Sequence, residues 1–508
     1  MMNIYQVLPR LYGAQTKNSS GKLDDFTDER LQALQAEGYT HIWFTGLLEH
    51  ATQTAYPGIP ADNPAVVKGK AGSPYAVKDY YDIAPSLAVN PENRMKEFEA
   101  LLKRTHKAGL KLIMDFVPNH VARQYHSDAK PKKVCDLGQD DDVSQDFSFD
   151  NDFYYCSGEQ LQLGRLVEAG LITEKQAQDY TEAPAKATGN DCFSAWPGPN
   201  DWYETVKLNY GGGQGSSCWT KMTDILLFWA KKGVDGFRCD MAEMVPCNFW
   251  HYAIGKVREK HPDIVFIAEV YNPSLYHSYI HHGGFDYLYD KVGLYDTLRA
   301  VMTSATSTHE ITKAWQNVDD IRGHMLYFLE NHDEQRIASD FFAGNPWKAR
   351  PAMAVAALMG PNPLMIYAGQ EVGERGMDAE GYSGVDGRTT IFDYWVVKGL
   401  KHLFTGKLTK EEKSLREFYD NLLELRLSPD FDEEQPFYDL MYANTHLWRQ
   451  YAFFRGKGIG ASLVVANFED HDVEIDVHIP EHAKEFLELD TNESRRVHVP
   501  ANDYVILK

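Results

Sequence analysis

The stretch "KKGVDGFRCDMAEM" (residues 231–244) decides how the chain is read. Two lysines and Gly233 close a helical segment, and glycine is the usual helix stop. Val234, Gly236 and Phe237 then form a short apolar run of the kind that fills a buried strand. Such a strand would not by itself end on Arg238 and Asp240. Residues two apart on a strand point the same way, so guanidinium and carboxylate are expected side by side. A neighbouring cation lowers a carboxylate pKa and keeps it ionised.

Working outward, seven further apolar runs have the same character: "IYQVLP" (4–9), "THIWFTG" (40–46), "LKLIMDFV" (110–117), "DIVFIAEV" (263–270), "FDYLYD" (285–290), "HMLYFLEN" (324–331) and "PLMIYAGQE" (363–371). Helical periods lie between most of them. "RMKEFEALLKRTHKAG" and "WTKMTDILLFWAKKG" both carry apolar residues at spacings of three and four, and both close on glycine. Strand–helix alternation over the first ~400 residues is the pattern of a parallel α/β architecture. Eight strands predict a (β/α)8 TIM barrel; an open doubly wound sheet gives a similar alternation. The rhythm breaks between His120 and Gly211, rich in Asp, Gly, Tyr and Ser, with helical period only over 159–181. An interruption of that length after a strand is expected to be a small subdomain, placed on the face where a barrel builds its active site. Beyond ~400, Thr409 and Glu412 have capping-box spacing at the head of "LTKEEKSLREFYDNLLELR". Short alternating runs follow, among them Val473, Ile475, Val477 and Ile479, as in an antiparallel β-sandwich. The expected division is a barrel from 1–120 and 206–430, an inserted subdomain at 121–205 and a C-terminal β-sandwich at 431–508.

Composition narrows the function. With 508 residues, 43% hydrophobic and 13% aromatic, the chain can build more than one core. Its formal charge of −22 disfavours nucleic acid and anionic membranes as partners. No run approaches the ~18 apolar residues of a membrane helix. The start, "MMNIYQVLPR", lacks the basic and apolar regions of a signal peptide, so a cytoplasmic protein is expected. Six cysteines without a CxxC pair read as reduced thiols and not as a zinc cluster. Oligomeric state has no sequence signal here.

Four strand ends carry polar residues: Asp115, Asn119 and His120 in "DFVPNH"; Arg238 and Asp240; Glu269 in "IAEVY"; and Glu330, Asn331, His332 and Asp333 in "FLENHDEQR". Parallel strands bring these ends to one rim. Each alone reads equally as an ion pair, a helix cap or a turn. Together, so many ionisable groups on one buried rim would be costly unless used. Asp240, ionised by Arg238, suits a nucleophile. Glu269 on the next strand would share its field with Asp240, so one of the two stays protonated near neutral pH. A nucleophilic carboxylate with a protonated partner is the arrangement of a retaining glycosidase. Asp333 adds a third carboxylate, suited to sugar hydroxyls and to an oxocarbenium-like transition state, and His120 and His332 could bond the same sugar.

The segments "DFVPNH", "GFRCD", "AEV" and "ENHD", in that order and spacing, resemble the four sequence regions of the α-amylase family, glycoside hydrolase family 13. "PLMIYAGQE", "SPYAVKDYYDIAP" and "FYDNLLELR" are similar to that family's eighth strand, its tyrosine-bearing stretch and its last barrel helix. The resemblance runs from the N-terminus to ~430. It implies Asp240 as nucleophile, Glu269 as general acid/base and Asp333 as transition-state stabiliser. It further implies that Arg238 keeps Asp240 ionised, that His120 and His332 contact the sugar at the cleavage site, and that Tyr75 stacks on its face. The implied substrate is a maltooligosaccharide or α-glucan, cleaved mainly at α-1,4 bonds with retention. The alternative is a transglycosylase using the same intermediate, for which "FWHYAIGKVREKHPDIVFIAEVY" has some similarity to maltosyltransferases. A silent binding protein on the same barrel is a third class, disfavoured because all three carboxylates are present.

The resemblance has departures. Many members follow the nucleophile, three and four residues on, with a Lys-His pair; here Glu243 and Met244 occupy those positions. The aspartate that often ligates calcium in the subdomain's closing segment appears as Asn209 in "VKLNYG", nearer the neopullulanase-like form. The chemistry implies no cofactor. A structural calcium at Asn119 and Asn209 is the metal candidate, with the acidic stretch "DLGQDDDVSQDFSFDND" (136–152) as a possible cation holder or a solvated loop. Trp196, Trp202 and Tyr203 could stack on further sugars or serve as core. "GGGQGSS" (211–217) lacks the Lys-Ser/Thr of a phosphate loop and is expected to be a flexible segment.

Overall fold

The computed structural model describes every residue of the chain except Asn492. Eight strands close into a barrel: β1 (Asn3–Val7), β2 (His41–Phe44), β3 (Lys111–Phe116), β4 (Gly236–Cys239), β5 (Val265–Ala268), β6 (Tyr287–Tyr289), β7 (Met325–Phe328) and β8 (Leu364–Tyr367). Each runs parallel to its neighbours, and β8 pairs with β1 to complete the ring. Closure rules out the open sheet. Every expected run supplies one strand, including β6, the weakest in sequence and only three residues long.

Side chains alternate along each strand between the helical shell and the barrel interior. Phe237 packs outward against the rings of Phe116 and Phe266. The interior is filled by Ile4, Trp43, Ile113, Ile267, Tyr289, Leu326, Phe328 and Met365, all buried. Arg238 is the charged exception among them, completely buried. The helices end as their sequences direct. Arg94–Lys107 is followed by Gly109 at φ +80°, and Ser217–Lys232 is capped by Gly233 at φ +99°, both in the left-handed region that glycine enters without strain. Lys410–Arg426 begins with the expected capping box of Thr409 and Glu412.

Between β3 and the helix Ser217–Lys232, the chain leaves the barrel. His120–Ala122 pairs antiparallel with Thr205–Lys207, which ties the two ends of the excursion together. Leu161, Leu163, Leu166, Ile172 and Ala185 form a separate small core within it. After the last barrel helix, strands β9 (Phe437–Asp439), β10 (Gln450–Arg455), β11 (Ser462–Asn467), β12 (Val473–His478), β13 (Ser494–Val499) and β14 (Asp503–Leu507) form two antiparallel sheets, β9-β10-β11-β14 and β12-β13. Strand β13 is not apparent in the sequence, because Arg495, Arg496 and His498 leave only Val497 and Val499 to mark it. This unit is fastened to the barrel by buried polar contacts: Arg455 donates to the carbonyl of Leu358 at 2.8 Å, and the Thr308 hydroxyl to that of Gln450 at 2.7 Å. Among the described residues, no helix is long and apolar enough to cross a membrane.

Candidate active site

The C-terminal ends of β3, β4, β5 and β7 open into one cavity of about 380 Å³, lined by Asp240, Glu269 and Asp333 together with Tyr75 and His120. Its organising group is Arg238. One guanidinium nitrogen donates to Asp240 Oδ1 at 2.7 Å, the other lies 2.9 Å from Glu269 Oε2, and Asp115 Oδ1 is 3.6 Å away. The rings of Trp43, Tyr75 and Tyr289 surround the guanidinium at 5.3–5.5 Å. A buried charge is tolerable only when paired and hydrogen-bonded; here Asp240 and the Tyr289 hydroxyl, 3.2 Å from Nε, accept hydrogen bonds, and Glu269 adds its opposite charge beside the remaining nitrogen. The sequence expectation that Arg238 and Asp240 lie side by side is met.

Asp240 continues the β3–β4 ladder, donating its N–H to the carbonyl of Phe116 at 2.9 Å. The next residue, Met241, turns abruptly at φ +44°, and its N–H reaches Glu269 Oε2 at 2.7 Å. A non-glycine residue there costs roughly 1–2 kcal/mol; the return is that one backbone kink positions both carboxylates. Burial pushes the Asp240 carboxyl up to about 6, against the pull of Arg238, with Asp333 and Asp115 adding to the rise. Burial likewise pushes Glu269 up to about 7; Arg238 again opposes, and Asp240 and Asp333 reinforce. Both carboxyls are thus raised above their ordinary range, and desolvation contributes more to the rise than the mutual repulsion from which the sequence argument began.

Asp333 differs. It leaves 41% of its side chain exposed. Such burial as it has raises its carboxyl, but His332, 3.0 Å away, outweighs this and brings it down to about 2. His332 Nε2 also lies 2.6 Å from the Tyr75 hydroxyl, and its Nδ1 lies 2.7 Å from the Gln6 amide. Its ring stacks on Tyr75 at 5.1 Å. His332 packs against Tyr75 and lines the adjoining cavity, which shares Asp333, Arg388, Ile391 and Phe392 with the first. His120 lines the first: burial lowers its imidazole to about 4, so the ring is neutral and offers hydrogen bonds without charge. Glu330, expected on this rim, instead pairs with Arg336 at 2.8 Å and accepts the Ile337 N–H at 2.7 Å, bracing the chain behind Asp333.

A catalytic-domain model of the α-amylase family matches residues 6–430. The chain belongs to the α-amylase family. Alpha-amylase 3 of Dictyoglomus thermophilum is 25% identical over 373 residues, 70% of this chain and 66% of that protein. An alpha-1,4-glucan:maltose-1-phosphate maltosyltransferase of Cereibacter sphaeroides is 36% identical over 73 residues, 14% of this chain and 12% of that protein. The chain thus spans less than two thirds of the length of these curated relatives. The cyclic alpha-maltosyl-(1→6)-maltose hydrolase of Arthrobacter globiformis, solved with maltose, superposes with a TM-score of 0.66 at 16% identity, covering 100% of this chain and 98% of that one; it shares the fold.

The two residues expected to hold calcium have other partners. Asn119 Oδ1 faces the ammonium of Lys207 at 2.5 Å, and the same ammonium binds Asp191 at 2.8 Å. Asn209 spends its amide on the carbonyls of Ser148 and Asn151 and its oxygen on the Gly211 N–H. The two asparagines therefore do not present oxygens to a common ion; a lysine supplies the positive charge beside Asn119. The acidic stretch 136–152 is likewise committed. Asp136 accepts from Ser127, Asp141 from Asp152, Phe153 and Tyr155, and Asp152 from Gly138 and Lys221. Among the described residues, carboxylate or histidine clusters close enough for a metal lie elsewhere, at Glu49–Asp82–Asp128 and Glu469–Asp470–His471.

Of the three aromatic candidates, Trp202 lines the cavity, Tyr203 is buried beneath Lys68, and Trp196 is half-exposed and not part of the wall. Residues the sequence did not single out complete the lining: Lys68 and Glu204, paired at 2.9 Å, Tyr271, and Arg388, Ile391 and Phe392 from the segment after β8. Tyr271 follows Glu269 by two, and 388–392 follows a barrel strand; position at a strand's C-terminal end was the available signal for both.

Proposed function

We propose that the protein is a retaining glycoside hydrolase that cleaves α-glucosidic bonds, mainly α-1,4, in maltooligosaccharides or α-glucans. The observation that carries this reading is one buried guanidinium, Arg238, hydrogen-bonded to Asp240 and ion-paired with Glu269 at the wall of a cavity shared with Asp333. In the first step an Asp240 oxygen bonds to the anomeric carbon as the glycosidic bond breaks, and Glu269 gives its proton to the leaving oxygen. The result is a glycosyl ester on Asp240. In the second step the Glu269 carboxylate takes a proton from water, whose oxygen displaces Asp240 and restores the original anomeric configuration. Asp333, ionised throughout, faces the positive charge that develops between these states. Tyr75 and His120 hold the sugar through ring contact and neutral hydrogen bonding. All of these groups are side chains of this chain. The six unpaired cysteines suit a reducing, cytoplasmic setting, where short oligosaccharides and glycogen would be the substrates.

Incubation with maltoheptaose, pullulan and glycogen, with chromatography of the products, tests the proposal. Shorter maltooligosaccharides from maltoheptaose are expected; intact substrate after prolonged incubation would count against it. A transferase reading draws on two cationic side chains in the same cavity, Lys68 and Arg388, which could receive a phosphorylated acceptor or donor. Its signature would be maltose 1-phosphate formed from maltoheptaose when inorganic phosphate is added.

A further inference from the structure

Glu243 and Tyr271 have no part in the reaction as described, yet they are joined to it. Glu243 lies three residues beyond Asp240, where many family members carry a lysine. Its Oε2 accepts the backbone N–H of Tyr271 at 3.0 Å and that of Asn272 at 2.9 Å. That double bond to the main chain fixes the segment leaving β5. Tyr271, so held, donates its phenolic O–H to Glu269 Oε1 at 2.8 Å. The other oxygen of Glu269 receives the Met241 N–H and lies beside Arg238. Both oxygens of this buried carboxylate are thereby engaged, and Tyr271 is the only neutral side chain among the partners.

We propose that Glu243 and Tyr271 form a positioning device for the general acid/base. Glu243 clamps the backbone so that the Tyr271 hydroxyl orients Glu269 and sets the pH at which it releases its proton. The proposal rests on Glu269 being the acid/base of the glycosidase reaction. The groups facing Glu269 are Arg238 and Asp240 from β4, the Met241 N–H after it, Asp333 after β7 and Tyr271 after β5. Asp240, Asp333 and burial favour the protonated form. A hydrogen bond donated to a carboxylate favours the ionised form, so Tyr271 works with Arg238 and the Met241 N–H against them. Because Glu243 is bound to main-chain N–H groups, it acts on the reaction only through Tyr271.

Tyr271→Phe removes one oxygen and keeps the ring. A hydrogen bond to a charged group is typically strong enough to move the alkaline limb of the kcat/KM profile upward by about one pH unit. Glu243→Ala is expected to move that limb in the same direction, and the double variant no further than Tyr271→Phe alone. If Glu243→Ala does not fold, Glu243→Gln, which retains one acceptor, should give a smaller shift of the same sign. An unmoved or downward-shifted limb in Tyr271→Phe, with the wild type showing a clear bell, overturns the proposal and leaves the glycosidase reading standing. Additive shifts in the double variant would separate Glu243 from Tyr271 and overturn the clamp. A wild type that cleaves no glucoside at any pH would instead overturn the glycosidase reading, and this proposal with it.

Discussion

Replacing Arg238 with methionine removes the one cation that Asp240, Glu269 and Asp115 share, at 2.7, 2.9 and 3.6 Å, and leaves three buried carboxyls without it. Breaking a buried pair by deleting one partner costs about 3–5 kcal/mol. Its pH dependence separates charge from packing. Asp240 and Glu269 sit at about 6 and about 7 in the folded protein, above their ordinary values. The folded state therefore keeps protons that the unfolded chain has already released. Stability from these groups falls as pH rises out of the ordinary carboxylate range, and levels off once pH passes about 6 to 7. Without Arg238 both groups move higher, and the fall continues beyond pH 7. The gap between wild type and variant should thus be small at pH 5, where both carboxyls are protonated, and reach the full ~3–5 kcal/mol near pH 8. Scanning calorimetry at the two pH values reads this as a difference in Tm of a few degrees at pH 8 that nearly closes at pH 5. At neutral pH kcat/KM should fall by about 100-fold or more, since Asp240 would be protonated. An equal Tm difference at both pH values would refute the reasoning, because it would mean that Arg238 contributes by packing on Trp43, Tyr75 and Tyr289 and not by charge.

The wild-type kcat/KM on an aryl maltoside should follow a bell, rising as the coupled carboxyls of the site lose a first proton near pH 6 and falling as they lose a second near pH 7; a plateau to pH 9 would contradict the assignment of Glu269 as acid. Lys207→Ala removes the ammonium between Asn119 and Asp191 and should lower stability by about 1–3 kcal/mol, with a matching loss of activity as the neighbouring His120 loosens. Chelation of the wild type with EDTA should leave Tm within about a degree, because Lys207 and not an ion supplies charge beside Asn119; a fall reversed by calcium would count against that account.

The barrel was legible because a strand buried on both faces reads as a continuous apolar run, and eight such runs are present. The catalytic rim was legible because charged residues at the ends of such runs need a reason, and Arg238, Asp240, Glu269 and Asp333 share one. What escaped had no local pattern. Glu330 has the same sequence context as Asp333 but turns away to Arg336, a choice made by tertiary packing. The contacts that fix His332 also escaped: its ring is held by Gln6, a residue 326 positions away, and stacks on Tyr75. Lys68, Glu204 and Arg388 come from loops whose course no periodicity predicts. The calcium expectation weighed Asn119 and Asn209 alone and could not see that Lys207, two residues before Asn209, lies opposite Asn119 across the pair of short strands His120–Ala122 and Thr205–Lys207. Strand β13 was passed over because its exposed face carries arginines and a histidine.

The central claim is that Asp240 bonds covalently to the sugar. A slow-turnover fluoroglucoside, which forms the ester faster than it is hydrolysed, followed by proteolysis and mass spectrometry, measures this directly. The account predicts one added hexose-sized mass on the peptide bearing Asp240, lost in Asp240→Asn. An adduct on Glu269 or Asp333, or none in a preparation that cleaves maltoheptaose, would contradict it.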